Sequence, residues 1–232
     1  MNDTGAPAAT LRSLDDLISR ANAIADSNRS QRRIIGITGS PGSGKTTIAL
    51  ALVDALNATC PRPFPWVAHV PMDGFHLADR ELARLGRLDK KGAPDTFDPA
   101  GYANLLHRIH TETEETIYAP AFNRDIEQPI AGAIPIPPEC GLVITEGNYL
   151  LVEEPPWRRA RRELDEVWYC DLDDEPRRQR LVDRHIRFGK PQGEAVAWVN
   201  NVDEPNAVLI ASTRSRADAY ISHAAQQAKS CP

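Results

Sequence analysis

The chain has 232 residues, of which 41% are hydrophobic and 25% are charged, and its formal net charge is −5 at pH 7. This composition is typical of a globular protein that buries a sizeable core, and it excludes a mostly disordered chain. No stretch approaches the roughly 18 apolar residues of a membrane span, and the negative charge gives no general attraction to nucleic acid or to an acidic membrane surface.

The N-terminus and the cysteines bear on the cellular compartment. The first ten residues lack a basic stretch followed by an apolar run, so we expect no secretory signal. The cysteines are scattered without a Cys-x-x-Cys pair, which fits neither a zinc site nor a dense disulfide framework. We therefore expect a cytoplasmic protein with four unpaired cysteines, namely Cys60, Cys140, Cys170 and Cys231.

Hydrophobic periodicity predicts helices and strands in alternation. An N-terminal helical lead, residues 1–30, contains an amphipathic helix over 10–26, and the β-branched run at 33–38 is typical of a buried strand. Further helices are predicted over 45–57, 176–188 and 206–216, and further strands over 66–71, 142–145, 167–172 and 219–222. The alternation predicts an α/β fold with a five-stranded parallel sheet flanked by helices, and ligands beyond the C-terminal ends of its strands.

One connection, residues 72–141, is too long for a plain crossover helix and is rich in proline and glycine. Connections of this length in a compact domain are usually functional. We expect it to be a substrate-binding insert within a single domain that spans residues 1–232.

A glycine-rich turn follows the strand predicted at 33–38. Residues 39–46, Gly-Ser-Pro-Gly-Ser-Gly-Lys-Thr, fit the pattern G-x-x-x-x-G-K-[ST] at every fixed position. In such a P-loop the glycines let backbone N–H groups turn toward phosphate oxygens, the lysine reaches the outer phosphates, and the hydroxyl ligates Mg²⁺. The predicted nucleotide-binding residues are Gly39, Ser40, Gly42, Ser43, Gly44, Lys45, Thr46 and Thr47.

The nucleotide and the metal are predicted from the surrounding sequence. An Asn-Lys-x-Asp guanine-reading motif does not occur, so ATP is the predicted nucleotide. Glu146 follows the strand predicted at 142–145, where a GTPase would carry Asp-x-x-Gly, and a carboxylate there can hold the water shell of Mg²⁺. We predict Mg²⁺ at Thr46 and Glu146, with a plain surface glutamate as the alternative.

Asp73 follows the strand predicted at 66–71, at the sheet edge that also holds the P-loop. A carboxylate there can accept or orient the proton of an acceptor hydroxyl during in-line attack on the γ-phosphate. The residue could equally be the N-cap of a helical turn that begins at Gly74, and the spacing favours neither interpretation.

Arginines recur along the helix predicted at 176–188, where steps of three and four residues place Arg177, Arg180, Arg184 and Arg187 on one face. This basic face precedes the glycine-containing residues 189–193. Such a face is typical of a lid that neutralises a transferring phosphoryl group, and the predicted lid spans residues 177–193. The alternative is a solvated, salt-bridged face, which we assign to Arg177 and Arg178. Other solvated helix positions are predicted at Arg158, Arg159, Arg161, Arg162, His107 and His110.

Together these motifs resemble the P-loop kinase superfamily of uridine kinase, phosphoribulokinase and bacterial pantothenate kinase. The likeness runs from about residue 33 to 221 in ordered blocks, which are the P-loop, residues 73–75, 91–98, 119–122 and 146–147, Arg184, and residues 206–217. The short chain and residues 71–77 are still more similar to a small bacterial subgroup of nucleoside/nucleotide kinase-like and fructose transport-system kinases.

The resemblance implies roles for individual residues. Lys45 and Thr46 would handle the phosphates and Mg²⁺, Asp73 would be the catalytic base, and Arg184 the lid arginine. Arg124 stands where pantothenate kinases carry a substrate-contacting histidine, which counts against pantothenate as the acceptor. The acceptor would be bound by Asp73, Phe75, His76, Lys91, Phe122 and Arg124.

The leading hypothesis is an ATP-dependent kinase of a small polyhydroxylated metabolite, a sugar such as fructose or a nucleoside, with Lys45, Asp73 and Arg184 as catalytic residues. The alternative is a P-loop NTPase switch or metallochaperone-type hydrolase that drives a protein partner, which would need a residue dedicated to positioning water. We expect neither a nucleic-acid nor a membrane partner, and we leave a homodimer open.

Overall fold

The computed structural model describes residues 8–28, 31–59, 65–223 and 225. The strands in this part of the chain are β1 (Ala9–Leu11), β2 (Arg33–Thr38), β3 (Val67–Pro71), β4 (Ile117–Asn123), β5 (Gln128–Ile136), β6 (Leu142–Glu146), β7 (Glu166–Cys170) and β8 (Ala219–Ile221). Six of them form a central sheet in the order β1-β8-β7-β2-β6-β3, and all paired neighbours in it are parallel. β4 and β5 form a separate antiparallel hairpin.

Helices cover both faces of the central sheet. They are α1 (Leu14–Ser27), α2 (Lys45–Thr59), α3 (Asp79–Leu85), α4 (Pro99–Thr111), α5 (Pro155–Arg162), α6 (Asp174–Arg187), α7 (Gln192–Trp198) and α8 (Glu204–Ala211). One core lies where α1 and α2 pack on the sheet, and a second core lies where α4, α5 and α8 pack on the other face.

The two cores follow from the alternation of side chains along β2. Ile35 and Ile37 belong to the core under α1 and α2, whereas Ile34 belongs to the core on the opposite face. Because successive residues of a strand point to opposite faces, a continuous β-branched run is what a strand buried on both sides requires. The predicted α/β fold is confirmed.

The N-terminal lead differs from its prediction in two respects. A short strand, β1, precedes the helix and pairs in parallel with β8, which makes the sheet six-stranded instead of five-stranded. The helix starts at Leu14 instead of residue 10, because Ser13 and Asp16 form a capping box in which each side chain accepts a backbone N–H of the other. Residues 1–7 and 29–30 lie outside the described residues.

The predicted helix over 206–216 also differs from the structure. α8 ends at Ala211, and residues 214–216 form a separate 3₁₀ turn. On its N-terminal side α8 continues from α7 through a π-helical turn, Val199–Asp203, that the sequence pattern did not indicate.

The connection over residues 72–141 is an insert with its own architecture, built from α3, α4 and the β4–β5 hairpin. Gly74 allows the hairpin to approach the end of β3, because a Cβ atom at this position would overlap the Pro120 backbone. The insert is therefore packed directly against the edge of the sheet that carries the P-loop.

Among the described residues, no helix is both long enough and apolar enough to cross a membrane. Cys140 and Cys170 are buried free thiols, and Cys60 and Cys231 lie outside the described residues.

Candidate active site

The P-loop connects β2 to α2 in a conformation that only its glycines tolerate. Gly39, Gly42 and Gly44 have φ angles of +147°, +80° and +88°, which lie outside the range that other residues adopt readily. A Cβ atom on Gly39 would lie 2.8 Å from the Cys170 carbonyl oxygen, and one on Gly42 would lie 2.8 Å from the Arg177 carbonyl oxygen. The loop therefore packs closely between the end of β7 and the first turn of α6.

Two side chains of the P-loop fit a phosphate ligand. Lys45, the first residue of α2, is 8% exposed and its ammonium donates to the Ser40 carbonyl at 3.2 Å. Burial lowers the pKa of Lys45, while the carboxylate of Glu146 opposes that shift. The Ser43 hydroxyl is buried and has no hydrogen-bond partner within the described residues. A helix N-terminus with a buried cation and an unpaired hydroxyl matches the chemistry of an anion site.

Thr46 and Glu146 come together as predicted, with the threonine hydroxyl donating to the Glu146 carboxylate at 3.1 Å. Burial raises the pKa of Glu146, and repulsion from the nearby Asp73 raises it further. The pair offers two oxygen ligands of the kind that Mg²⁺ prefers, and a cation would relieve the repulsion between the carboxylates. Nearby, burial lowers the pKa of His69, 3.9 Å from Glu146, to about 4.

Asp73 lies in the 3₁₀ turn Met72–Phe75 that follows β3. The N-cap position of this turn is Pro71, and the Asp73 carboxylate instead accepts from the Arg124 guanidinium at 2.7 Å. The N-cap interpretation is therefore wrong. Burial opposes ionisation of this carboxyl, but the charge of His76 when it is protonated and the charges of Arg124, Lys45 and Arg184 hold its pKa below the usual range.

The insert supplies one wall of the site. The Lys91 ammonium donates to the Asp79 carboxylate at 2.6 Å and to the backbone carbonyl of Glu127, so it ties α3 to the turn between β4 and β5. The His76 ring stacks on Phe97 with centroids 4.0 Å apart and lies 4.9 Å from the Phe122 ring. Burial lowers the pKa of His76 to about 4, so this ring is neutral near pH 7.

One predicted acceptor-binding residue is placed elsewhere. Phe75 packs against the core, with its ring centroid 5.2 Å from that of Tyr102. It does not line the cavity described below.

The arginines of α6 divide between two environments. Arg184 faces the cavity, and its charge acts on both Lys45 and Asp73. Arg177, predicted to be solvated, is 1% exposed and donates to Glu204 at 2.6 Å, to Asp174 at 3.0 Å and to the Pro41 carbonyl at 3.4 Å.

The solvated interpretation of Arg177 is therefore wrong, because the P-loop and α8 cover this end of the helix. Arg178 pairs with the other carboxylate oxygen of Glu204 and is 49% exposed, as predicted. Arg180 and Arg187 are exposed and do not line the cavity.

Two other predicted solvated residues are partly buried. The ring nitrogens of His110 lie 3.0 Å from the Arg32 carbonyl and 2.7 Å from the Glu163 carbonyl. Arg161 donates to the Leu164 carbonyl and to Asp218. Both side chains satisfy groups at the bottom of the sheet, away from the P-loop, whereas exposure is confirmed for His107, Arg158, Arg159 and Arg162.

Several residues of the lid side were given no individual role from the sequence. The Lys190 ammonium lies 4.2 Å from the centroid of the Trp198 ring, and His185 lies 2.8 Å from the Asp203 carboxylate. Asn206 donates to the Gly92 carbonyl at 3.3 Å, which joins α8 to the insert. The sequence placed His185 and Lys190 within the lid and Asn206 within the block 206–217, but it gave none of them an individual role.

These elements enclose a cavity of about 670 Å³ between the P-loop, the insert and the lid side. Its volume is in the range of small-molecule sites. Of the predicted site residues, those that line it are Gly42, Lys45, Thr46, Asp73, His76, Lys91, Phe122, Arg124, Glu146 and Arg184. Gly39, Ser40, Ser43, Gly44 and Thr47 belong to the P-loop and the first turn of α2 but do not line the cavity.

Comparisons with known proteins show similarity in sequence and in fold. No family model matches the sequence. A candidate uridine kinase of Schizosaccharomyces pombe is 34% identical over 209 residues, which is 88% of this chain and 87% of that protein. The crystal structure of a candidate fructose transport system kinase from Silicibacter sp. TM1040 is 36% identical and aligns with a TM-score of 0.80 over 90% of this chain and 98% of its own.

A third similarity concerns the fold alone. The structure of YFH7 from Saccharomyces cerevisiae, a candidate P-loop kinase with a circular permutation, is 20% identical and aligns with a TM-score of 0.79 over 90% of this chain and 98% of its own. Together with the P-loop, these similarities confirm the predicted superfamily: the chain belongs to the uridine kinase-like family of P-loop kinases.

Proposed function

We propose that this protein transfers the γ-phosphate of ATP to a hydroxyl group of a small polyhydroxylated metabolite, a sugar or a nucleoside. The observation that carries the proposal is the convergence of Lys45, Asp73, Glu146 and Arg184, from four different parts of the chain, around one cavity. The S. pombe relative is named for uridine and the Silicibacter relative for fructose, and both compounds are rich in hydroxyl groups. Pantothenate is the less favoured acceptor.

The P-loop residues hold the nucleotide phosphates in this proposal. Backbone N–H groups at the start of α2 and the Lys45 ammonium supply positive charge where the phosphate oxygens lie. Thr46 and Glu146 would hold Mg²⁺, which neutralises charge on the phosphates when it is bound. Because Lys45 is buried, its charge is only weakly screened by water and acts strongly on the phosphoryl group.

Asp73 orients the acceptor. One carboxylate oxygen, Oδ2, is engaged by Arg124, which leaves Oδ1 to accept a hydrogen bond from the attacking hydroxyl. Since the pKa of Asp73 is held low, the group is ionised at neutral pH and acts by holding the hydroxyl in line more than by removing its proton early. A loose phosphoryl-transfer transition state needs positioning more than a strong base.

Arg184 completes the site from the lid side. Its guanidinium can donate two parallel hydrogen bonds to the transferring phosphoryl group, in the geometry that arginine favours. The group does this when both substrates are in the cavity, so its contribution belongs to the transition state.

The test is ATP turnover with a panel of acceptors. Sugars, nucleosides and pantothenate are each added to the protein with ATP and Mg²⁺, and the release of ADP and the phosphorylated product are measured. We expect one of the sugars or nucleosides to stimulate ADP release and to be recovered as its phosphate ester. Steady ATP hydrolysis that no acceptor stimulates would instead support an NTPase that drives a protein partner.

A further inference from the structure

Arg184 depends on α6 for its position. It lines the cavity, and its guanidinium forms no salt bridge within the part of the chain that the structure describes. Apolar packing holds little of this end of the helix, because Ile186 and Phe188 are 41% and 47% exposed. Another contact must therefore fix the end of α6 that carries Arg184.

A stripe of inward-facing residues runs along α6 at steps of four. Arg177 and Leu181 are 1% and 0% exposed, and the side chain of His185 is 15% exposed. Residues at this spacing lie on one face of a helix. His185 is the last member of the stripe and directly follows Arg184 in the chain.

The two polar residues of this stripe contact consecutive carboxylates. Arg177 donates to Glu204 at 2.6 Å, and His185 Nε2 lies 2.8 Å from Asp203 Oδ2. Asp203 ends the π-helical turn, and Glu204 begins α8. This junction therefore holds α6 at two points that are about 12 Å apart along the helix axis, at a rise of about 1.5 Å per residue.

Asp203 belongs to a rare element, because π-helical turns are uncommon and are frequently found at functional sites. It is 7% exposed, and a buried carboxylate needs a hydrogen-bonding partner, which here is His185. The turn directly follows Trp198, whose ring centroid lies 6.3 Å from that of His185 and 4.2 Å from the Lys190 ammonium. Both the last turn of α6 and the loop after it thus rest on this segment.

We propose that His185 and Asp203 are positioning residues, which hold the end of α6 so that Arg184 meets the transferring phosphoryl group. This inference rests on the proposed function and adds to it the residues that fix the lid arginine. Misplacing a catalytic group by about 1 Å costs up to about a hundredfold in rate. We expect loss of the pair to lower kcat about tenfold and to leave ATP affinity near that of the wild type, because the P-loop holds the phosphates independently.

A double-mutant cycle separates this role from direct contact with a ligand, since both residues also line the cavity. His185→Leu removes the ring N–H and is made in the wild type and in Arg184→Ala. The kcat is measured as formation of the phosphate ester from ATP, Mg²⁺ and an acceptor, with fructose and uridine as the first compounds of the panel. We expect His185→Leu to lower kcat about tenfold in the wild type and less than about twofold in Arg184→Ala.

An equal loss of kcat in both backgrounds would overturn the inference alone, because a direct ligand contact or a loss of folded protein persists without Arg184. A loss of ATP affinity that accompanies the loss of kcat would also overturn it, since the pair would then act on the nucleotide. If the wild type phosphorylates no compound of the panel, the proposed function fails and the inference fails with it.

Variants of Asp203 test the hydrogen bond itself. Asp203→Asn keeps an oxygen that can accept from His185, so kcat should stay within about threefold of the wild type, whereas Asp203→Leu should match His185→Leu. Similar losses in the two Asp203 variants would show that this hydrogen bond is not the cause and would overturn the inference.

The matched control is His110→Leu. His110 also joins separate elements through its ring nitrogens, but it lies away from the P-loop. Its replacement should leave kcat close to that of the wild type. A tenfold loss of kcat in this variant would show that removing any internal histidine has the same effect, which would overturn the specific role of His185.

Discussion

At the residue scale, Arg177 shows how burial changes the role of a charged side chain. Its periodic spacing is the same as that of Arg184, yet one side chain is 1% exposed within a salt-bridge cluster and the other faces the cavity. Arg177 connects α6 to the P-loop through Pro41 and to α8 through Glu204. It is therefore a structural residue that holds the walls of the site together.

Replacing Arg177 should destabilise the fold. Arg177→Ala leaves the largely buried Glu204 carboxylate with only Arg178 as a partner, and we expect a loss of about 3 kcal/mol in the free energy of unfolding, measured by urea denaturation. Arg178→Ala is the matched control, because Arg178 pairs with the same carboxylate from an exposed position and should cost less than about 1 kcal/mol. Equal costs for the two variants would contradict this assignment.

Replacing Asp73 and replacing Lys45 should have different effects on kcat and on ATP affinity. Asp73→Asn keeps the shape of the side chain but removes the charge that orients the hydroxyl, so kcat should fall about a hundredfold or more with ATP affinity near that of the wild type. Lys45→Ala removes a buried cation from the phosphates and should lower both ATP affinity and kcat.

Steady-state kinetics and direct ATP binding separate the two cases. Comparable turnover in Asp73→Asn and the wild type would contradict the role proposed for Asp73. Undiminished ATP binding by Lys45→Ala would place the phosphates elsewhere in the cavity.

At the scale of elements, α6 carries a buried anchoring residue near its start and a cavity-lining residue further along. Arg177 anchors its first turn against the P-loop, and Arg184, two turns further along, reaches the cavity. The loop after α6 then places Lys190 against Trp198 of α7. The segment predicted to be a lid is thus fixed at one end, while the side chains at its other end face the ligands.

The role proposed for Arg184 of the lid makes a kinetic prediction. Arg184→Ala should lower kcat about a hundredfold, which corresponds to about 2.7 kcal/mol, while ATP affinity of the acceptor-free enzyme barely changes. Arg184→Lys should recover part of the rate only, because an ammonium cannot make the planar two-point contact.

The matched control is Arg180→Ala, one turn away on the same helix and exposed. It should have a kcat close to that of the wild type. If Arg180→Ala reduces kcat as much as Arg184→Ala does, the effect comes from the helix as a whole and the role of Arg184 is not supported.

At the scale of the whole molecule, the sheet brings ionisable groups together at its C-terminal edge and buries them. β3 contributes His69 and leads to Asp73, and the adjacent β6 ends at Glu146. Burial lowers the pKa of His69 to about 4 but raises that of Glu146. The two shifts have opposite effects on stability as the pH falls.

Stability should depend on pH through His69. Because the folded pKa of about 4 lies below the unfolded value of about 6.5, the unfolded chain binds more protons between these values, and the histidine destabilises the fold progressively as the pH falls from 6.5 to 4. His69→Gln removes this contribution. Its free energy of unfolding relative to the wild type should therefore rise by about 3 kcal/mol between pH 7.5 and pH 4.

Urea denaturation of both proteins at several pH values measures the difference directly. Taking the difference between the proteins removes the opposing contribution of Glu146, which both retain. A constant difference across the pH range would show that His69 titrates normally in the folded state.

Much of the fold was predictable because it depends on local patterns. All five segments that were predicted to be strands correspond to strands of the central sheet. They are residues 33–38, 66–71, 142–145, 167–172 and 219–222. β1 was missed because Leu11 is its one buried residue, so the segment shows no apolar run. The β4–β5 hairpin was missed because proline and glycine hid its alternation, and its exposed side chains gave no inward face to detect.

For the site, the sequence by itself determined the P-loop, the kinase superfamily and the residues at the ends of the parallel strands. A phosphate cradle needs particular residue types at fixed spacing, and parallel strands that end at one edge bring Lys45, Asp73 and Glu146 together in any such sheet. Only the tertiary structure decided which charges are paired. Arg177 became buried, Arg124 met Asp73, and Lys91 met Asp79. These pairings join residues from separate elements, and their energies depend on burial and distance, which a linear pattern does not contain.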